Sequence, residues 1–152
     1  MQLGGGGDDA TIPEEAYTPA MQTLADYSRE VGSRLLGFPI TVRLVNARHW
    51  KAAHSDRAIV AAFRDGLLIL NVPLIRITNR RAVHKILLHE FAHHVTSDHL
   101  SEEYHDALCA LGADLAELAL EEPELAGAFG PAASTGVVPV PSGVEGIAAS
   151  TL

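Results

Sequence analysis

The sequence predicts a small α+β domain: an N-terminal helix, a small twisted sheet containing a hairpin, and two further helices. Three observations lead there. Apolar residues recur at helical spacing in three separate stretches; short apolar runs of strand length lie between the first stretch and the second; and an Asp-Gly pair joins two of those runs.

In chain order, Met1 to Thr11 contains four consecutive glycines and two aspartates. It lacks the basic-then-apolar pattern of a secretory signal and reads as a linker. Residues 1–17 are therefore expected to be flexible, with the domain running from 18 to 126. Met21, Leu24, Tyr27 or Ser28, Val31 and Leu35 recur as one helix face, with Thr18-Pro19 as a start signal and Gly37 as a stop. Pro39 to Val45 alternates apolar with polar residues, as a half-buried strand does. Asn46 to Arg57 is expected to be a loop, where His49, Trp50 and His54 read more readily as surface histidines with a packed Trp than as the lining of a cleft. Ala58 to Phe63 and Leu67 to Val72 form a hairpin through Asp65-Gly66.

A second helix is expected from Thr78 or Asn79, either of which could cap it, to Val95, with Val83, Leu87 or Leu88, Phe91 and Val95 turned to the core. Ser101 caps a third, whose first turn holds Glu102 and Glu103 and whose buried face is Tyr104, Leu108, Leu111, Leu115 and Leu118. Cys109, set among alanines and leucines, reads as a buried, inert thiol. Pro123 ends this helix. Residues 127–152 are rich in Ala, Gly, Pro, Ser and Val with Glu145 as the only charge, and are expected to be a flexible tail in which residues 137–141 favour extended geometry.

Composition sets limits on function. The 152 residues make one domain of ordinary size, and 47% hydrophobic with 20% charged residues suits a globular core. A net charge of −8 argues against a nucleic-acid surface. Arg76, Arg80, Arg81 and Lys85 form the only basic cluster, read as the solvated start of a helix, with a nucleic-acid or acidic-partner role as the minority reading. A single cysteine fits a reducing compartment and makes the cytoplasm the default location. No apolar run approaches membrane-spanning length.

The informative stretch is His89-Glu90-Phe91-Ala92-His93. On a helix, residues four apart lie about 40° apart around the axis, so His89 and His93 share a face and can hold one metal ion. Glu90 falls about 100° from His89, beside the ion, where its carboxylate can take a proton from a metal-activated water. Chance would place this pattern in a shuffled chain of this composition only about 0.03 times, so accident is a poor explanation. Catalytic zinc takes a third protein ligand. A continuous helix would carry His99 about 120° away from His93, but Thr96-Ser97-Asp98 favour a turn that could return it. Glu102, Glu103, His105 and Asp106 compete as third ligands, though the acids suit helix capping equally well. His94 is expected as a neighbour or surface group, not a ligand.

The spacing of His89, His93 and His99 resembles that of metzincins, with Thr96 where that family has Gly and with no Met-turn, since Met1 and Met21 both precede the motif. The broader resemblance is to the zincin metallopeptidases, particularly minimal SprT-like domains. It covers residues 67–115 and rests on Ile69-Leu70-Asn71, the His-Glu-x-x-His helix, and His99 before Ser101-Glu102-Glu103-Tyr104. It implies a zincin-like fold and a zinc metallopeptidase (a hydrolase) that binds one Zn²⁺ per chain through His89, His93 and His99. Glu90 would be the general base, the substrate a peptide or protein, and Tyr104 or His105 an aid to the oxyanion. It also implies that a strand bordering the cleft pairs with substrate, Leu67 to Asn71 being the candidate for that strand or for its neighbour. The alternative is a zinc-stabilised binding or regulatory module without peptidase activity, which a closed four-ligand site would favour; a third reading is a regulatory peptidase domain to which a partner domain or protein supplies substrate.

Overall fold

The computed structural model describes residues 10–51 and 56–128. The chain is α+β, with a three-stranded sheet and four α-helices among the described residues. Helix α1 spans Pro19–Leu36. Thr18 Oγ1 accepts from the Met21 N–H at 3.3 Å, Pro19 occupies the first turn where its missing donor costs nothing, and Gly37 closes the helix in the left-handed region at φ 75°.

The sheet comprises β1 (Thr41–Val45), β2 (Ala61–Arg64) and β3 (Leu67–Asn71) in the order β1-β3-β2. Asp65 and Gly66 both have positive φ, 51° and 77°, the geometry of the tight turn that matches strand twist. β3 pairs antiparallel with β2 and parallel with β1, so it is the central strand. Leu67 to Asn71 is thus an interior strand, and the outer strands are β1 and β2.

Residues 10–17 depart from the expected flexible segment. Ile12 N–H donates to the Leu44 carbonyl at 2.9 Å, Asn46 N–H to that of Ala10 at 2.8 Å, and the Tyr17 hydroxyl accepts from Leu44 N–H at 3.3 Å. The outer edge of β1 offers backbone groups that need partners, and this segment supplies them. The glycine run, His54 and the tail from residue 129 onward lie outside the described residues.

Asn71, fully buried, braces the loop expected at 46–57. Its Oδ1 accepts from Ala47 N–H at 3.0 Å, and its Nδ2 donates to the carbonyls of Ala47 and Ile59, both at 2.9 Å. Within that loop His49 is exposed and Trp50 half-buried.

Helix α2 spans Arg80–Ala92, capped by Asn79, whose Oδ1 accepts from Ala82 N–H at 3.0 Å. It ends before Val95, which is 59% exposed and not in the core as expected, because the chain has already left the helix at His93. Helix α3 spans Glu102–Glu121, with Ser101 Oγ accepting from Tyr104 N–H at 3.1 Å, and α4 spans Pro123–Gly127. Tyr104 and Leu111 are buried, whereas Leu108, Leu115 and Leu118 are partly so. Cys109 is exposed, which corrects the buried reading: one step of about 100° from Leu108 takes it off the packed face.

The core joins Leu24 and Val31 of α1, Leu44, Leu68 and Leu70 of the sheet, and Val83, Leu87 and Phe91 of α2. Ile40, just before β1, and Phe91 of α2 pack closely on α1 at Gly32, where a Cβ would collide with Ile40 Cδ1 and stand 2.7 Å from Phe91 Cζ. Phe91 is fully buried and anchors α2 from below, and this fixes the direction of its exposed face.

Candidate metal centre

His89 lies in the last turn of α2 and His93 is its C-terminal cap, at φ −65° and ψ −12°. The following turn holds no left-handed residue, which explains how Thr96 can stand where a glycine was anticipated. Side chains close the turn instead: Thr96 Oγ1 accepts from Asp98 N–H at 3.2 Å, and Asp98 Oδ1 accepts from Leu100 N–H at 3.0 Å. The chain reverses, and His99 comes back over the helix.

The result is a cluster of three imidazoles, with one nitrogen of each of His89, His93 and His99 within 4.8 Å of the others. Ring centroids lie 5.0 Å apart for His89–His93, 5.0 Å for His89–His99 and 4.5 Å for His93–His99. The Nε2 atoms of His89 and His99 face each other at 3.3 Å. Two nitrogens each about 2.0–2.1 Å from a tetrahedral zinc ion stand about 3.3–3.4 Å apart, so this separation fits a shared ion.

The other ring nitrogens are held. His89 Nδ1 is 2.7 Å from the Tyr104 hydroxyl, which in turn reaches the His89 carbonyl at 3.4 Å. His93 Nδ1 is 3.2 Å from the Thr96 carbonyl, an acceptor only, so Nδ1 carries the proton. A donor at Nδ1 leaves the Nε2 lone pair of that ring free, which is the tautomer a metal ligand needs. The donor set fits Zn²⁺ on these grounds. Burial, and after it the neighbouring His93 and His99, lower the pKa of His89 and favour the neutral ring.

Tyr104 forms the floor of the cluster, its ring 5.0–5.9 Å from all three imidazoles. Its hydroxyl, expected beside an oxyanion, is engaged with His89 Nδ1. Burial, and secondarily the Glu90 charge, raise its pKa and keep it a phenol. Glu102, Glu103 and His105 are exposed, and none joins the cluster. His94 is exposed and lies against Phe38 and Phe63, with centroids at 5.1 and 6.4 Å, on the other side of the helix end.

Glu90 sits between α2 and the edge strand. Burial pushes its carboxyl up to about 7, offset in part by a hydrogen bond from the Phe63 backbone N–H of β2. An open groove of about 390 Å³ runs beside it, lined by Val60, Ala61, Lys85, Ile86, His89 and Glu90.

The sequence gives no sign of Phe63 N–H or of Tyr27–His84, a second Tyr–His pair that joins α1 to α2 with the hydroxyl 2.5 Å from Nε2. Among the described residues no helix is long and apolar enough to cross a membrane. Comparison with known protein families, with curated proteins and with solved structures finds no match.

Proposed function

We propose that this protein is a zinc-dependent metallopeptidase that hydrolyses a peptide or protein substrate, with one Zn²⁺ per chain held by Nε2 of His89, His93 and His99. The observation that carries the reading is the convergence of these three imidazoles beside a carboxylate that is not one of them. Only three ligand groups converge among the described residues, a number that leaves the fourth tetrahedral position to water. This favours the enzyme over a closed, purely structural site.

Zinc bound there would lower the pKa of a bound water to about 7 and act as a Lewis acid for the scissile carbonyl. Glu90 takes the proton from the attacking water and hands it to the leaving nitrogen. A carboxyl that titrates near neutrality suits both halves of that task. The Phe63 N–H fixes its orientation, and Tyr104 holds the His89 ring in place without touching substrate. The Ala61 N–H, two residues from Phe63 N–H along the strand, points to the same side, where an extended substrate backbone can pair with β2. With Cys109 as the single cysteine, a reducing compartment such as the cytoplasm is the proposed location.

The test is metal content by mass spectrometry together with peptide hydrolysis. Wild type should carry about one zinc per chain, and His89→Ala and His99→Ala should lose it. Glu90→Gln should keep zinc while hydrolysis falls roughly 10²–10⁴-fold. Zinc retained by His99→Ala would sink the three-histidine site; undiminished turnover by Glu90→Gln would sink the base assignment.

A further inference from the structure

We propose that Lys85 is a specificity-determining residue that selects substrates with an acidic side chain beside the scissile bond, and that Arg81 extends the same preference outward. The inference rests on the peptidase reading and names the class of substrate for that site.

The groove that contains His89 and Glu90 has three apolar lining residues, Val60, Ala61 and Ile86, and one cation, Lys85. Such a lining accepts a side chain with an apolar stem and an anionic end. Arg81, Lys85 and His89 are spaced at four residues and form one face of α2, each step rising roughly 6 Å along the axis. An extended peptide advances roughly 3.3 Å per residue, so Lys85 lies within about two residues of the reacting centre and Arg81 about two further. Both cations are exposed.

Two features set this charge apart from ordinary solvation. The first turn of α2 holds Arg80 and Arg81 and no acidic residue, although the positive end of the helix dipole favours acids there; α3 follows the usual rule with Glu102 and Glu103. Helix stability therefore does not account for the basic start of α2. The chain as a whole also carries −8, so a basic helix face runs against its overall charge. Charge complementarity at the groove commits the occupant to an acidic peptide.

Zinc-loaded Glu90→Gln protein provides a binding assay without turnover. Dye-labelled heptapeptides of Ala and Val carrying Glu, Gln or Lys at the centre would be titrated by fluorescence anisotropy, alongside cleavage-site sequencing of a randomised peptide mixture by the wild type. Expected are binding of the Glu peptide about tenfold tighter than the Gln peptide, loss of that ratio by about 300 mM salt, and its reversal toward the Lys peptide in Lys85→Glu/Glu90→Gln. Arg81→Glu should reduce the ratio less. An unchanged Glu-to-Gln ratio in the Lys85→Glu background overturns the proposal, as does tighter binding of an oligothymidylate than of the Glu peptide, which would assign this face to phosphate. The two failures are distinguishable: cleavage without acidic preference removes this inference alone, whereas acidic preference in binding without any cleavage removes the peptidase reading, and with it the scissile bond, and leaves only an acidic-peptide preference of the groove.

Discussion

Helix α2 carries two histidines that each meet a tyrosine hydroxyl, and the two pairs have different fates. His84 and His89 are five residues apart, about 140° around the axis, and so point to different neighbours. His84 faces α1, where the Tyr27 hydroxyl meets its Nε2 and the rings stack with centroids at 5.7 Å. His89 faces α3, where the Tyr104 hydroxyl meets its Nδ1. Tying up the outer nitrogen of His84 closes that ring off in a small apolar pocket with Val31, Leu115 and Leu118. Tying up the inner nitrogen of His89 leaves Nε2 to converge with two other rings. The same two residue types make packing in one place and a proposed metal ligand in the other, and they differ in which ring nitrogen the tyrosine engages.

The largest expected contrast is in metal content. His89→Ala should take zinc from about one per chain to near zero at micromolar metal, whereas His84→Ala should leave it unchanged; a loss in both would erase the distinction. A smaller contrast separates the tyrosines. Tyr104→Phe should weaken zinc binding about 10–100-fold, by freeing the His89 ring, while Tyr27→Phe leaves the affinity in place. Competition with a colorimetric chelator measures both, and equal affinities in wild type and Tyr104→Phe would deny the hydroxyl its role.

The smallest effect is in the pH dependence of stability. Burial, and secondarily the Arg80 charge, lower the pKa of His84 below its ordinary 6.5. The unfolded chain then binds a proton before the folded one does, so this contribution is present above about pH 6.5 and is lost as pH falls toward the depressed native value. Between pH 8 and pH 5.5 the urea midpoint of metal-free wild type should therefore drop more than that of His84→Gln. Equal drops would show that His84 is not held neutral by the fold.

Legibility in the sequence followed the range of the interaction. His89 and His93 were readable because helical spacing is local, and so were the Thr18, Asn79 and Ser101 caps and the Asp65-Gly66 turn. The return of His99 could be anticipated from turn-forming residues, but its route depends on hydrogen bonds to Thr96 Oγ1 and Asp98 Oδ1 that spacing does not encode. The engagement of Tyr104 with His89 Nδ1, and of the Phe63 N–H with Glu90, arises only when α2 is docked between α3 and β2. The central place of β3 likewise depends on parallel pairing with β1, a contact distant in sequence. The exposure of Cys109 and Val95 shows the converse: apolar neighbours in sequence do not bury a side chain when the helix has turned away or ended.

Asn71 has a consequence for how this chain can vary. One amide side chain grips the excursion between β1 and β2 at both necks, Ala47 and Ile59. The sheet thus receives the same two fixed ends whatever lies between them, and doubling the intervening length would cost only about 0.6 kcal/mol of closure entropy. This segment is where insertions or grafted sequences can be accepted while the scaffold beneath the histidines keeps its shape.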